Sequence, residues 1–444
     1  MALLCGTAVP VALQSLMSTS RSVVDALLVA RLGTDEVAAI GYSSRVLFVV
    51  ILATLGMADG GAVVVAQFWG SGNAEKSRQA TALTVAAAGA IALVAFLGCF
   101  IWAPRIVALG TANPTVISLG AAYIRTVIPV IFPFAIISAL AAGLRCVGQA
   151  KVAMRFAMAG LVLHVTLAYC LIYGHWGLPA LGFTGAAWAT VISGTAECLM
   201  FIAYVYGTRH PMAFRPRDIT AGIRNNILRK IRTVGVPVSL SSVSWASGIL
   251  TYSILVGRAG TLELAVLSMI TPIEAAAVAF ANGVSTAASV IVGNGIGEGA
   301  KAQRIWSISK ALLIWSWGVA AVMAMVLVSV SFWLGQIYAG VDQEVIHVAR
   351  LTTIALAIVF IFRATCMTLQ NGLLRAGGDT VYILWADLSS QWLAAIPLTF
   401  LTALVWHWPF PLVFVAINSE EMVKAMMSGY RVSRRRWMRR IVDH

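Results

Sequence analysis

The segment PVALQSLMSTSRSVVDALLVARLG, residues 10–33, returns at residues 237–260 as PVSLSSVSWASGILTYSILVGRAG. Pro10 aligns with Pro237, Arg31 with Arg258 and Gly33 with Gly260, at a constant offset of 227 positions. The offset holds without a gap as far as GSG at Gly70–Gly72 against GEG at Gly297–Gly299. A frame of this length does not arise by chance, so the chain carries two copies of one unit. The copies are not chemically equal. Where the counterpart of Asp25 would stand, the second copy has Tyr252.

The content of each copy follows from composition. With 60% hydrophobic and only 11% charged residues, the chain has too little polar surface to face water on all sides. Twelve apolar runs have the length of roughly 20 residues that a hydrocarbon core requires. They are centred near Met17, Leu55, Ile91, Pro133, Val162, Ile192, Ser247, Val278, Ala320, Leu356, Gln391 and Ala416. The expectation is an all-α membrane protein of twelve transmembrane helices in two pseudo-twofold-related six-helix lobes, residues 1–206 and 236–429. A basic linker, 207–235, joins them, and a basic tail, 430–444, follows. Six spans per copy, with both termini on one side, imply parallel repeats about an axis along the membrane normal.

A net charge of +14 would suggest nucleic acid in a soluble chain, but its placement points to topology instead. Lys76 and Arg78, then Arg145, Lys151 and Arg155, the run from Arg209 to Arg232, Lys301 and Arg304, Arg375, and the tail from Arg431 to Arg440 fall in alternate connections. The intervening connections hold only Arg31, Arg105, Arg125, Arg258 and Arg350. This is the positive-inside pattern, which puts both termini in the cytoplasm and excludes nucleic acid as the partner. The tail RVSRRRWMRR is also suited to touching anionic lipid headgroups. Cys99, Cys170, Cys198 and Cys366 sit inside apolar runs without metal-type spacing, so neither a disulfide framework nor a metal site is expected. MALLCG lacks the charged region of a signal peptide, and the first span is expected to remain in the mature protein.

Along the chain, APRIVALGTANPTVISLGAAYIR between the third and fourth spans reads as a structured outer loop with a short interfacial helix. Pro129 and Pro133 should bend the fourth span. Residues 207–235, with Pro211 and Pro216, read as the hinge between halves. The fourth span ends at LRCVGQAK, from Leu144 to Lys151, and the tenth at LRAGGDT, from Leu374 to Thr380, which places equivalent bends in both copies.

These motifs resemble one family. P-x(14)-D-x(5)-RLG in the first span, VAQ-x-x-G-x-G ending the second, LRxxGxxK after the fourth, LIYG-x-x-GLPALG-x-TGAA after the fifth and NGLLRAGGDT after the tenth, in that order, resemble the multidrug and toxic compound extrusion (MATE) family. The resemblance implies two six-helix lobes around a V-shaped cavity and alternating access. It also implies export of organic, often cationic, small molecules in exchange for protons or sodium ions, from the bacterial inner membrane. It carries no cofactor beyond the coupling ion, no catalytic residue and no partner but substrate and bilayer, and the chain is expected to act as a monomer. The family's coupling-ion aspartate on the first span corresponds to Asp25, and His164 stands where an asparagine is often found. The acid that some members place on the seventh span falls near Trp245, and the tenth-span stretch RATCMTLQN has none. A second-lobe cation site of that kind is therefore not expected.

An ionisable residue inside a span costs at least about 2–3 kcal/mol, so it should face a partner or a cavity. Arg21 lies one turn from Asp25 on the same helix face, and Arg45 on the next span stands at similar depth. Two readings compete. In one, Asp25 is locked in an ion pair with Arg21 or Arg45; in the other it takes a proton from outside and exchanges it for cargo. His164 is either a packing group or part of that ion site. Asp59, Glu274 and Asp387 either line a substrate cavity or pair with arginines, and Tyr252 is a further cavity candidate. Arg363 should neutralise one of these carboxylates, and Glu197 should bond a serine or threonine within its lobe. A lipid-linked flippase would show a strongly cationic lumen, whereas here Arg21, Arg45 and Arg363 are outnumbered by acids. A membrane enzyme would need paired histidines, HExxH or a serine–lysine set, none of which occurs with plausible spacing. GSGNAEKSRQ lacks the loop signature of the major facilitators.

Overall fold

A computed structural model describes residues 2–29 and 34–443, and every regular element among them is helical. Arg31 and Gly33, two of the residues that define the repeat, lie outside the described residues. Among the described residues, ten helices are long and apolar enough to cross a membrane, from Ala38–Gly70 to Thr380–Val405. The first span, Ala2–Val29, precedes them. The last is broken at Asn418 into Phe410–Ile417 and Ser419–Ser433. The twelve-span, all-α expectation therefore holds.

Local chemistry sets the ends. Asn73 starts the third span, Ala74–Ala108, by accepting from the Lys76 amide at 2.9 Å. The fifth span, Ala150–Tyr173, stops at Gly174, whose φ of +74° is the left-handed conformation that glycine adopts without cost. The outer connection after the third span contains the expected helix, but its irregular part is shorter than expected, residues 109–113. The third span runs through Pro104, and a new helix starts at Pro114, capped by Asn113 and continuous with the fourth span as Pro114–Cys146. Proline in a first turn suits a helix start, and this amphipathic stretch buries Val116, Ile124 and Val127, so the segment pays for helix rather than loop. Around Pro129, where the sequence predicts a bend, the fourth span tightens into one 3-10 turn, Ile128–Val130, while Pro133 lies within the α-helix that follows. The tenth and eleventh spans each widen into π turns, at Thr368–Leu374, Ser389–Ala395 and Leu401–Val405.

Two compact units emerge, with boundaries inside the first and seventh spans. One comprises residues 17–69 and 73–243, the other 1–16, 70–72 and 244–444. Small residues explain both boundaries. In the second unit Gly283 leaves no room for a Cβ beside Ala8 and Ala12, and Asn282 donates to the Ser15 hydroxyl at 3.0 Å, so the start of the first span packs on the eighth. In the first unit, Gly56 meets Ser239 and Gly60 meets Gly235 backbone to backbone, which brings the start of the seventh span onto the second.

The linker and tail are both docked. Met212 is buried with its sulfur against the Ser77 and Thr81 hydroxyls, and Asp218 accepts from the Arg215 amide at 2.7 Å and from Arg78 at 3.1 Å. In the tail, Trp437 is fully buried in a cluster with Leu373, Leu374, Ile383 and Val432, its indole N–H donating to the Val432 carbonyl at 3.1 Å. Gly377 lies directly against it, where any Cβ would collide. Arg431 grips Asp379 through two bonds of 2.6 and 3.2 Å. Trp437→Ala is expected to destabilise this end by about 3–5 kcal/mol, read as a lower melting temperature of the purified protein in detergent. Exposed Arg436→Ala should stay within about 0.5 kcal/mol.

Candidate ion-coupling site

In the first unit three spans present polar residues one turn apart on facing sides, and these meet as two rungs. The upper rung joins Asp25 of the first span, His164 of the fifth and Ser193 of the sixth, Phe183–Gly207. His164 Nε2 lies 2.9 Å from Asp25 Oδ1, and His164 Nδ1 lies 3.3 Å from Ser193 Oγ. His164 and Ser193 are almost wholly buried, and Asp25 is half-buried. The lower rung lies one turn away on each helix, at Arg21, Gly160 and Glu197. Arg21 Nη2 binds Glu197 Oε2 at 2.6 Å, and the missing side chain of Gly160 makes room for the pair.

This geometry revises the sequence reading at several residues. Asp25 is not bound to Arg21, whose charge goes to Glu197, and Arg45 stands exposed on the second span. Glu197 bonds an arginine rather than a serine or threonine. The reason is spatial: the i−4 rule places Arg21 and Asp25 on one face, but a carboxylate from another helix occupies the nearer position. Asp59, with about a third of its side chain exposed, lies 3.9 Å from Arg145.

The second unit carries a larger network. Arg363 binds Glu274, as expected for a neutralising arginine, and lies 3.6 Å from Glu421. Lys424 is 3.7 Å from both Asp387 and Glu420, and Tyr252 donates to Glu420 at 3.0 Å. Four carboxylates thus face two cations in a buried setting. Glu420, Glu421 and Lys424 escaped the sequence reading because the twelfth span was centred on Ala416. The rule used elsewhere, that an ionisable residue in a span needs a partner, would have found them had the helix been carried past Asn418.

The upper rung of the first unit has the chemistry of a proton site. With a neutral imidazole, Nε2–H donates to the carboxylate while the Ser193 hydroxyl donates to Nδ1. With an imidazolium, Nδ1–H donates to Ser193, whose hydroxyl then turns to the Thr190 carbonyl at 3.3 Å. One added proton is accommodated by rotating a hydroxyl.

The model of the MatE family matches residues 10–170 and again residues 237–401. The chain belongs to the MatE family. Both matches start on the prolines that open the repeated frame, so the duplication read from sequence is the family's own unit. This MATE chain is 26% identical, over 88% of its length and 83% of the other's, to the Agrobacterium fabrum protein named "Probable multidrug resistance protein NorM". A Bradyrhizobium diazoefficiens protein of the same name is also 26% identical, over 89% and 85%. Among solved structures, the crystal structure of MATE in complex with MaL6 matches with a TM-score of 0.89 over 98% of this chain and 96% of that one, at 17% identity, a likeness of fold. The MATE chain is accordingly a multi-pass membrane protein of a transporter family.

Removing one partner from a buried ion network leaves charge uncompensated. Lys424→Met should therefore destabilise the transporter by about 3–5 kcal/mol, measured by thermal unfolding in detergent. Adding Glu420→Gln and Asp387→Asn should recover much of that loss.

Proposed function

We propose that this chain exports organic, cationic compounds across the bacterial cytoplasmic membrane in exchange for protons, by alternating access. Inbound proton and outbound cargo compete for the rung formed by Asp25 and His164. The observation that carries the reading is the imidazole at 2.9 Å from the carboxylate, backed by a hydroxyl. A hard cation is held by several oxygens, whereas a nitrogen donor at this distance favours a shared proton. The names of the NorM relatives support multidrug efflux as the activity. The lysine and arginine bias supports cytoplasmic termini, and one chain carrying both copies supports a working monomer. Asp59 and Glu274, paired as they are with arginines, would attract cationic cargo only where those pairs open.

The test is transport in proteoliposomes with a panel of cationic dyes under an imposed pH gradient or an imposed sodium gradient. Accumulation is expected under the pH gradient alone, and Asp25→Asn is expected to reduce it to the level of empty liposomes. Accumulation driven only by sodium would overturn proton coupling, and undiminished export by Asp25→Asn would overturn the role of that carboxylate.

A further inference from the structure

We propose that Glu197 is a positioning residue for the proton step: it holds the Arg21 guanidinium one rung below Asp25 and so keeps that carboxylate available to a proton. The inference rests on the reading of Asp25 as the titrating group. The charged and titratable groups around Asp25 are Arg21 on its own helix, His164 on the fifth span, Glu197 one turn below on the sixth, and Tyr123 on the fourth, within electrostatic reach. Arg45 of the second span is exposed. Arg21 is the one cation on the same helix face as Asp25, at the i,i+4 spacing that favours ion pairing. The 2.6 Å bond to Glu197 takes it elsewhere.

The second copy is arranged differently. Within the gap-free part of the repeat, the offset of 227 sets Tyr252 against Asp25 and Gly248 against Arg21. Around these two residues Tyr252 donates to Glu420, Lys424 lies against Asp387, and Gly248 lies against Gln391. In that copy the cation comes from the twelfth span and lies 3.7 Å from Asp387 and 3.7 Å from Glu420. Glu420 is held by a cation and a phenol at once. In the first copy the cation Arg21 is bound to Glu197, and Asp25 has an imidazole instead.

Without Glu197, a guanidinium in a span must find another negative charge, and Asp25 lies one turn along the same face. Glu197→Gln is therefore expected to move the half-maximal external pH for dye export acidward by about one unit or more, the effect of a paired arginine on an aspartate. Arg21→Gln added to Glu197→Gln should return the profile to that of the parent, because no guanidinium is left to capture Asp25. A slower rate with an unmoved profile, or failure of the double variant to restore it, would overturn the proposal. Should Glu197→Gln not fold, Glu197→Asp, which withdraws the carboxylate by one methylene, should give a smaller acid shift that Arg21→Gln also removes; no shift overturns the proposal equally. Asp25→Asn in the same assay separates the two levels. Its loss of export alongside an unmoved Glu197→Gln profile defeats this inference alone, and its full activity defeats the underlying reading.

Discussion

Charge inside a membrane span is tolerated only where a partner meets it, and that requirement organises both copies of this fold. An unpaired ion among lipid tails costs several kcal/mol by most measures. Each ionisable side chain set within a packed rung accordingly finds an opposite charge or a hydrogen-bonding group on another helix. The pairs cross between elements far apart in sequence, as Asp25 with His164 and Arg21 with Glu197 do. They therefore specify which helices are neighbours in a solvent where apolar packing discriminates poorly between one helix and the next.

The duplication and the span count were both legible in the sequence, because each depends on patterns local to the chain or on its comparison with itself. The partner of Arg363 was legible as a class, a carboxylate, though not by number. What could not be read was pairing between helices. Helical spacing tells which residues share a face, and so it joined Arg21 to Asp25; it cannot tell that Glu197 arrives on that face from the sixth span. The association of Asp25 with His164 came from the family resemblance rather than from any signal linking the two positions. The misread segment around Pro104 and Pro114 failed for a different reason. Proline marks a break in a helix interior but a start in a first turn, and only the burial of the following apolar face decides between them.

The two rungs of each copy also obey a constraint of volume. In the first copy Gly160 leaves the space that the Arg21 and Glu197 side chains fill, and in the second Gly248 leaves the space taken by Gln391. The glycine sits on the fifth span in one copy and on the seventh in the other. Placing the acid on the sixth span and the glycine on the fifth left Arg21 bound below and Asp25 with an imidazole above. Placing the cation on the twelfth span instead tied both levels together through Lys424. One copy thus sets its carboxylate against an imidazole and the other holds a carboxylate between a cation and a phenol, which is the asymmetry first seen as aspartate against tyrosine.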